Sequence, residues 1–184
     1  MRDHKCHAAT RAPTRRSFFG GLACAAVLTG PAQTQVAPGS ADDERFMRVA
    51  IDEARQADFP FGAVIVHDGT IISRGRNLGR TDRDPTAHGE MVAIRRCLAE
   101  RSPEVLRSAT LYTSGEPCAM CMGAILWCHI SRLVFAASTA QLATRINQIM
   151  LTAVDVAAKA PFAPISITGG VLADEARALF ERNN

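Results

Sequence analysis

A histidine and a glutamate two residues apart, in TAHGEM at 86–91, are answered by two cysteines three residues apart in EPCAMC at 116–121. No other feature of the chain constrains its fold as tightly, because both clusters open runs of helical period. Met91, Ile94 and Leu98 recur at that spacing, which predicts a helix over 86–99 with Thr86 as its cap. The run PCAMCMGAILWC at 117–128 follows a short strand, ATLYTS at 109–114, and opens with proline, which suits a first helical turn because its missing N–H needs no partner there. Two such helix starts, converging at one end of a sheet, would bring His88 beside Cys118 and Cys121.

Those three side chains are zinc chemistry. A Cys-x-x-Cys pair at a helix start lets both sulfurs face one ion, and the free N–H groups and dipole of the turn favour the thiolate. Zinc takes nitrogen and sulfur ligands tetrahedrally; structural sites fill all four positions with protein, whereas three ligands leave one for water, the catalytic arrangement. Water on such an ion loses a proton far more readily than bulk water. Glu90 is near enough to His88 to move that proton without binding the metal. His88, Cys118 and Cys121 are therefore the expected Zn2+ ligands, and Glu90 the expected catalytic residue. A structural zinc knot, a redox pair and two core cysteines are the competing readings of a Cys-x-x-Cys with one distant histidine.

The rest of the chain supplies the scaffold. DERFMRVAIDEAR at 43–55 places Phe46, Val49, Ala50 and Ala54 on one helical face, and AVIVHDGTIISRGRN reads as two strands around an Asp68-Gly69 turn. RLVFAA at 132–137 and ISITG at 165–169 are further strands, 139–159 is mostly helical by spacing, and 173–182 closes with a helix. Strands alternating with helices predict an α/β fold, a three-layer α/β/α sandwich around a five-stranded mixed sheet.

Length and charge bound the function. A chain of 184 residues, 47% hydrophobic, buries one core and is short for two. Its formal charge is +3, but the first sixteen residues hold five basic side chains and one acid, which leaves the remainder at −1. That remainder lacks the basic excess with which proteins track phosphates, so nucleic acid is not the expected partner. The basic start, TRRSFFGG at 14–21, an apolar run through Leu28 and the small-residue GPA at 30–32 together read as an export signal, and the Arg15-Arg16 pair is of twin-arginine type. Residues 1–37 are then signal and spacer, 43–184 the zinc-dependent domain, the export machinery a partner and the periplasm the destination. A lipid anchor through Cys24 and an ordinary secretory leader are the alternatives.

The His-x-Glu and Pro-Cys-x-x-Cys elements form the signature of zinc deaminases, and residues 43–182 resemble the cytidine-deaminase-like superfamily. PFGAVIVHDG, GRN, DPTAHGEM and LYTSGEPCAMCMGAILW stand as bacterial guanine deaminases and tRNA adenosine deaminases place them. The resemblance implies hydrolytic deamination of a free nucleobase or nucleoside, with a guanine-type purine favoured, ammonia as a product and a homodimer as the assembly. It implies substrate contacts from Asn77, hydrogen-bonded to the ring, and Phe61, stacked on the base or walling it. The backbone at Ala87 would lie toward the leaving amine, and Trp127 follows the guanine-deaminase pattern. Three departures stand out: Gly89 where the family usually has alanine, Gly115 where it has a larger residue, and LATRINQIM at 142–150 with no carboxylate to read a guanine edge. tRNA adenosine-to-inosine deamination is the alternative within the class, and a non-catalytic zinc-stabilised binding protein the alternative outside it.

Overall fold

A computed structural model of the chain describes residues 36–37 and 39–181. All but two residues of the expected signal and spacer, Cys24 included, lie outside the described residues. The two are Val36–Ala37, which form a short strand, β1, paired in parallel with the last strand, so the segment read as spacer ends inside the sheet.

Helix α1 (Ala41–Arg55) begins at Ser40, whose hydroxyl accepts from Asp43 N–H while the Asp43 carboxylate accepts from Ser40 N–H, a reciprocal cap. Strands β2 (Gly62–His67) and β3 (Thr70–Arg76) form the expected hairpin, with Asp68 and Gly69 at φ of 49° and 69° as a two-residue turn of positive φ requires. Helix α2 (Gly89–Glu100), strand β4 (Thr110–Gly115), helix α3 (Ala119–Trp127) and strand β5 (Arg132–Ala137) follow. Short helices α4 (Thr139–Leu142) and α5 (Ala153–Ala157), strand β6 (Ser166–Thr168) and helix α6 (Ala173–Arg177) complete the order.

The sheet runs β1-β6-β5-β4-β2-β3, with β2 antiparallel to both neighbours and the remaining pairs parallel. It is the expected five-stranded mixed sheet extended at one edge by β1. Alternation along the strands sorts side chains to two faces. Ala63, Ile65, Leu111, Leu133 and Phe135 pack with Ile94 and Cys97 of α2 and Met122 and Ile125 of α3. Val64, Val66, Tyr112, Val134 and Ala136 pack instead with Phe46, Met47 and Ile51 of α1 and Ala176 of α6. Helices thus cover both faces, which makes three layers.

Two expectations need correction. The span 139–159 is not one helix: Ser138 with Gln141 caps α4, and Thr152 with Asp155 caps α5. Each reciprocal cap starts its own turn, and the residues between form an irregular connection. The closing helix over 173–182 is likewise shorter, an α-helical turn followed by a 3-10 turn at Ala178–Phe180.

Candidate metal centre and active site

The two clusters meet because both opening ligands are helix caps. His88 is the N-cap of α2 and Cys118 the N-cap of α3, each in extended conformation with no side-chain hydrogen bond to its own helix. The side chains are therefore free to turn toward each other. Thr86, the expected cap, instead bonds through its N–H and hydroxyl to the Asp84 carboxylate, and Pro117 sits before the cap rather than in the first turn. Cys121, in the third helical position, points the same way as the cap, as partners in a capping box do.

His88 Nδ1 lies 3.6 Å from Cys118 Sγ and 3.6 Å from Cys121 Sγ, and all three ligand atoms lie within 4.8 Å of one another. Tetrahedral zinc, with bonds of about 2.3 Å to sulfur and about 2.0 Å to nitrogen, requires nitrogen–sulfur separations of about 3.6 Å. The donor set fits the ion in type and in spacing. The site is also electrostatically primed for a cation. The Cys118 thiol is pulled down to about 4, first by the hydrogen bond from Cys121 and next by His88. Cys121 is pushed up by donating to Cys118 and by burial. His88 is raised, chiefly by its bond to Cys118.

Glu90, in the first turn of α2, is 3% exposed, and burial pushes its carboxyl above the ordinary range. It lines an open cavity of about 670 Å³ together with His88, Cys118, Asn77, Phe61 and Phe59. The opposite wall is the connection after α4, from Ala143 to Gln148. Glu90 is the only carboxylate among the described lining residues, as the composition of LATRINQIM implies.

The expected substrate contacts divide. Asn77 is 8% exposed; its Oδ1 accepts from Gly79 N–H at 3.1 Å, which leaves Nδ2 without a partner among the described residues. Phe61 is a wall residue, packed on Phe180 and Phe59. Ala87 is not among the residues that line the cavity; its N–H donates to Asp84 O and its carbonyl accepts from Leu78 N–H. Trp127 is also placed elsewhere. It ends α3, roughly 9 Å along the axis from Cys121, is 73% exposed, and meets the edge of Phe162.

The sequence reading missed Phe59 and the Ala143–Gln148 wall; the capping boxes at 138–141 and 152–155 were the signal that the helix breaks there. Glu116, just before the cysteine helix, braces two other helices. Its oxygens accept from Thr139 N–H at 2.7 Å and Ala153 N–H at 2.8 Å, fixing the starts of α4 and α5 and so both ends of that wall.

Fold and site together define a zinc protein in which three side chains would hold the metal and a buried carboxylate lines the same cavity. Residues 40–137 match the family described as "Cytidine and deoxycytidylate deaminase zinc-binding region", and the chain belongs to it. The chain is similar to guanine deaminase of Bacillus subtilis, 50% identical over 78 residues, or 42% of this chain and 50% of that one. It is similar to the tRNA-specific adenosine deaminase of Haemophilus influenzae, 46% identical over 101 residues, or 52% of this chain and 58% of that one. The aligned regions thus span about half of these relatives. Among solved structures, guanine deaminase from Nitrosomonas europaea superposes with a TM-score of 0.68 at 25% identity, covering 80% of this chain and 86% of that one. Two others at 25% identity, with TM-scores of 0.67 and 0.63, hold 8-azaguanine and 2,6-diaminopurine; they cover 76% and 80% of this chain and are themselves covered to 84% and 82%.

Proposed function

We propose that the protein is a zinc-dependent aminohydrolase that replaces the amino group of a free nucleobase or nucleoside by oxygen and releases ammonia, with a guanine-type purine as the favoured substrate. The observation that carries this reading is the convergence of His88, Cys118 and Cys121 at zinc spacing beside a buried Glu90, all opening on one cavity. Bound zinc lowers the pKa of water and so supplies a nucleophile at neutral pH. Glu90 takes one proton from the attacking water and delivers it to the ring nitrogen beside the attacked carbon, then takes the remaining proton of the new hydroxyl and passes it to the amine, so that the carbonyl forms as the carbon–nitrogen bond breaks and ammonia leaves. Its raised affinity for a proton suits a group that must both accept and donate. Asn77 offers its amide to the ring, and Phe61 supplies an aromatic wall. An acting glutamate of this kind has no use in a zinc-stabilised binding protein.

The 46% identity to a tRNA-specific adenosine deaminase favours a second reading, inosine formation in tRNA. A remainder at −1 beyond residue 16 counts against it, since tRNA affinity comes mainly from phosphate contacts. Mature protein offered guanine, guanosine, adenine, adenosine, cytosine, cytidine and a tRNA in parallel separates the two. Ammonia from a monomer is the expected result; inosine in tRNA with no ammonia from any monomer would select the second.

We also propose that the chain is exported through its Arg15-Arg16 signal and works in the periplasm as a homodimer. Twin-arginine receptors read the guanidinium pair, so replacing both arginines by lysine should hold the precursor in the cytoplasm. Unchanged export would point to the general secretory route, and lipid on Cys24 to an anchor.

A further inference from the structure

We propose that Gly115 is a specificity-determining residue: by carrying no side chain it seats the Phe61 ring against the end of β4, which keeps the cavity wide enough for a base that still bears its sugar. The proposal rests on the deaminase reading of the same site and names its substrate class as nucleosides.

A Cβ at position 115 would stand 2.5 Å from Phe61 Cε1 and 3.0 Å from Leu142 Cδ1. The backbone there has no freedom to retreat, because Gly115 is in register with Ala137 of β5 and Glu116 N–H donates to Ala137 O at 2.7 Å. Phe61 is held as well. Its carbonyl accepts from Asn77 N–H at 2.9 Å, and the next residue, Gly62, donates its N–H to Ser114 Oγ at 3.0 Å. Only the ring can give. Phe180, 6% exposed, stands edge-on to it at 5.2 Å between centroids, and Phe59 lies tilted at 5.7 Å. Leu142, 1% exposed, closes the side toward α4. The open direction is the cavity, where Phe61 shares the lining with Glu90 and Asn77.

The far wall is suited to a sugar. Asn147 and Gln148 line it and make no hydrogen bond among the described residues, so their amides are available to hydroxyl groups beyond the ring. A cavity of about 670 Å³ is wider than a flat bicyclic base alone requires. A residue larger than glycine at 115 would drive Phe61 into that space and leave room for the base only.

The test compares guanosine and guanine. Equilibrium binding is measured by calorimetry in a Glu90→Gln background, and ammonia release with Glu90 intact. Gly115→Ala should weaken guanosine binding by about tenfold or more, with guanine changed by less than about threefold. Adding Phe61→Leu should restore guanosine, and zinc content should stay the same throughout. Phe61→Trp, which crowds the cavity with β4 untouched, should reproduce the selective loss even where Gly115→Ala does not fold. The proposal is overturned if wild type fails to bind guanosine. It is also overturned if folded, zinc-loaded variants lose both ligands equally or neither, or if the double variant does not recover. Guanosine bound and filtered by size, but with no ammonia released, would support the role of Gly115 and defeat the deaminase reading.

Discussion

Glu90 differs in one respect from the residues around it: its carboxyl serves proton transfer rather than the architecture. His88, Cys118 and Cys121 are placed to hold the metal and Asn77 holds the chain through Gly79, whereas the Glu90 carboxylate meets the Cys121 thiol inside the same site and braces no other element. Glu90→Gln should therefore fold and bind about one zinc per chain, while ammonia release falls by roughly two to four orders of magnitude, the usual worth of positioned proton transfer. Elemental analysis and turnover on the same sample check both halves. Equal rates in variant and wild type would remove Glu90 from the mechanism. Asp43 is the contrasting case, a carboxylate whose whole role is structural. It is 2% exposed and receives Arg132 through both guanidinium nitrogens, at 2.7 and 2.9 Å, with Tyr112 O–H at 3.0 Å. The Arg132 bond, foremost, holds its carboxyl well below the usual range. A depressed carboxylate stabilises the fold above its unfolded-state value of about 3.9 and loses that contribution as pH falls below it. Asp43→Asn should cost about 3–5 kcal/mol at neutral pH, because Arg132 is left without its partner. It should also flatten the fall in stability below about pH 4, as read by urea titrations across pH.

Among the elements, the short ones shape the pocket. α2 and α3 are placed by burial, Ala93, Ile94 and Cys97 on one and Met122, Ile125 and Leu126 on the other packing on the same sheet face, so their first turns converge whatever the connections do. The Ala143–Gln148 wall has no such support and depends on Glu116, which bonds the starts of α4 and α5. Glu116→Ala leaves two buried N–H groups unpaired, about 1–3 kcal/mol each. Substrate KM should rise while zinc content is kept, since the metal ligands lie on other elements. Loss of zinc in a folded Glu116→Ala protein would show that its carboxylate serves the metal helix instead.

At the scale of the whole molecule, charge and exposed apolar surface set the partners. Basic residues crowd the first sixteen positions, which the export reading assigns to the removed signal, and small-substrate turnover should then depend weakly on salt where tRNA binding would fall steeply. A rate that drops by orders of magnitude between 0.05 and 0.2 M salt would argue for a polyanionic substrate. The outer face of α3 leaves Met120 37% and Trp127 73% exposed, apolar surface that suits the proposed homodimer. Trp127→Glu should shift the sedimentation coefficient toward monomer; an unchanged dimer would place the interface elsewhere.

The metal ligands, Glu90 and the order of strands and helices were legible in the sequence because each is local. A cap residue and its neighbours within one helical turn have fixed directions, so His-x-Glu and Cys-x-x-Cys announce where their side chains meet, and an uninterrupted apolar run such as that in RLVFAA announces a strand buried on both faces. What the tertiary structure alone decided is every contact made across the chain. Glu116 reaches residues 23 and 37 positions away, Phe61 fills the space that Gly115 leaves open 54 positions on, and β1 joins the sheet at a partner beyond residue 165. The same holds for Trp127, which its motif groups with the site and the length of α3 carries to the far end. Spacing along a helix determines direction within a turn, but which wall closes a cavity depends on packing among elements whose separation in sequence leaves no periodic trace.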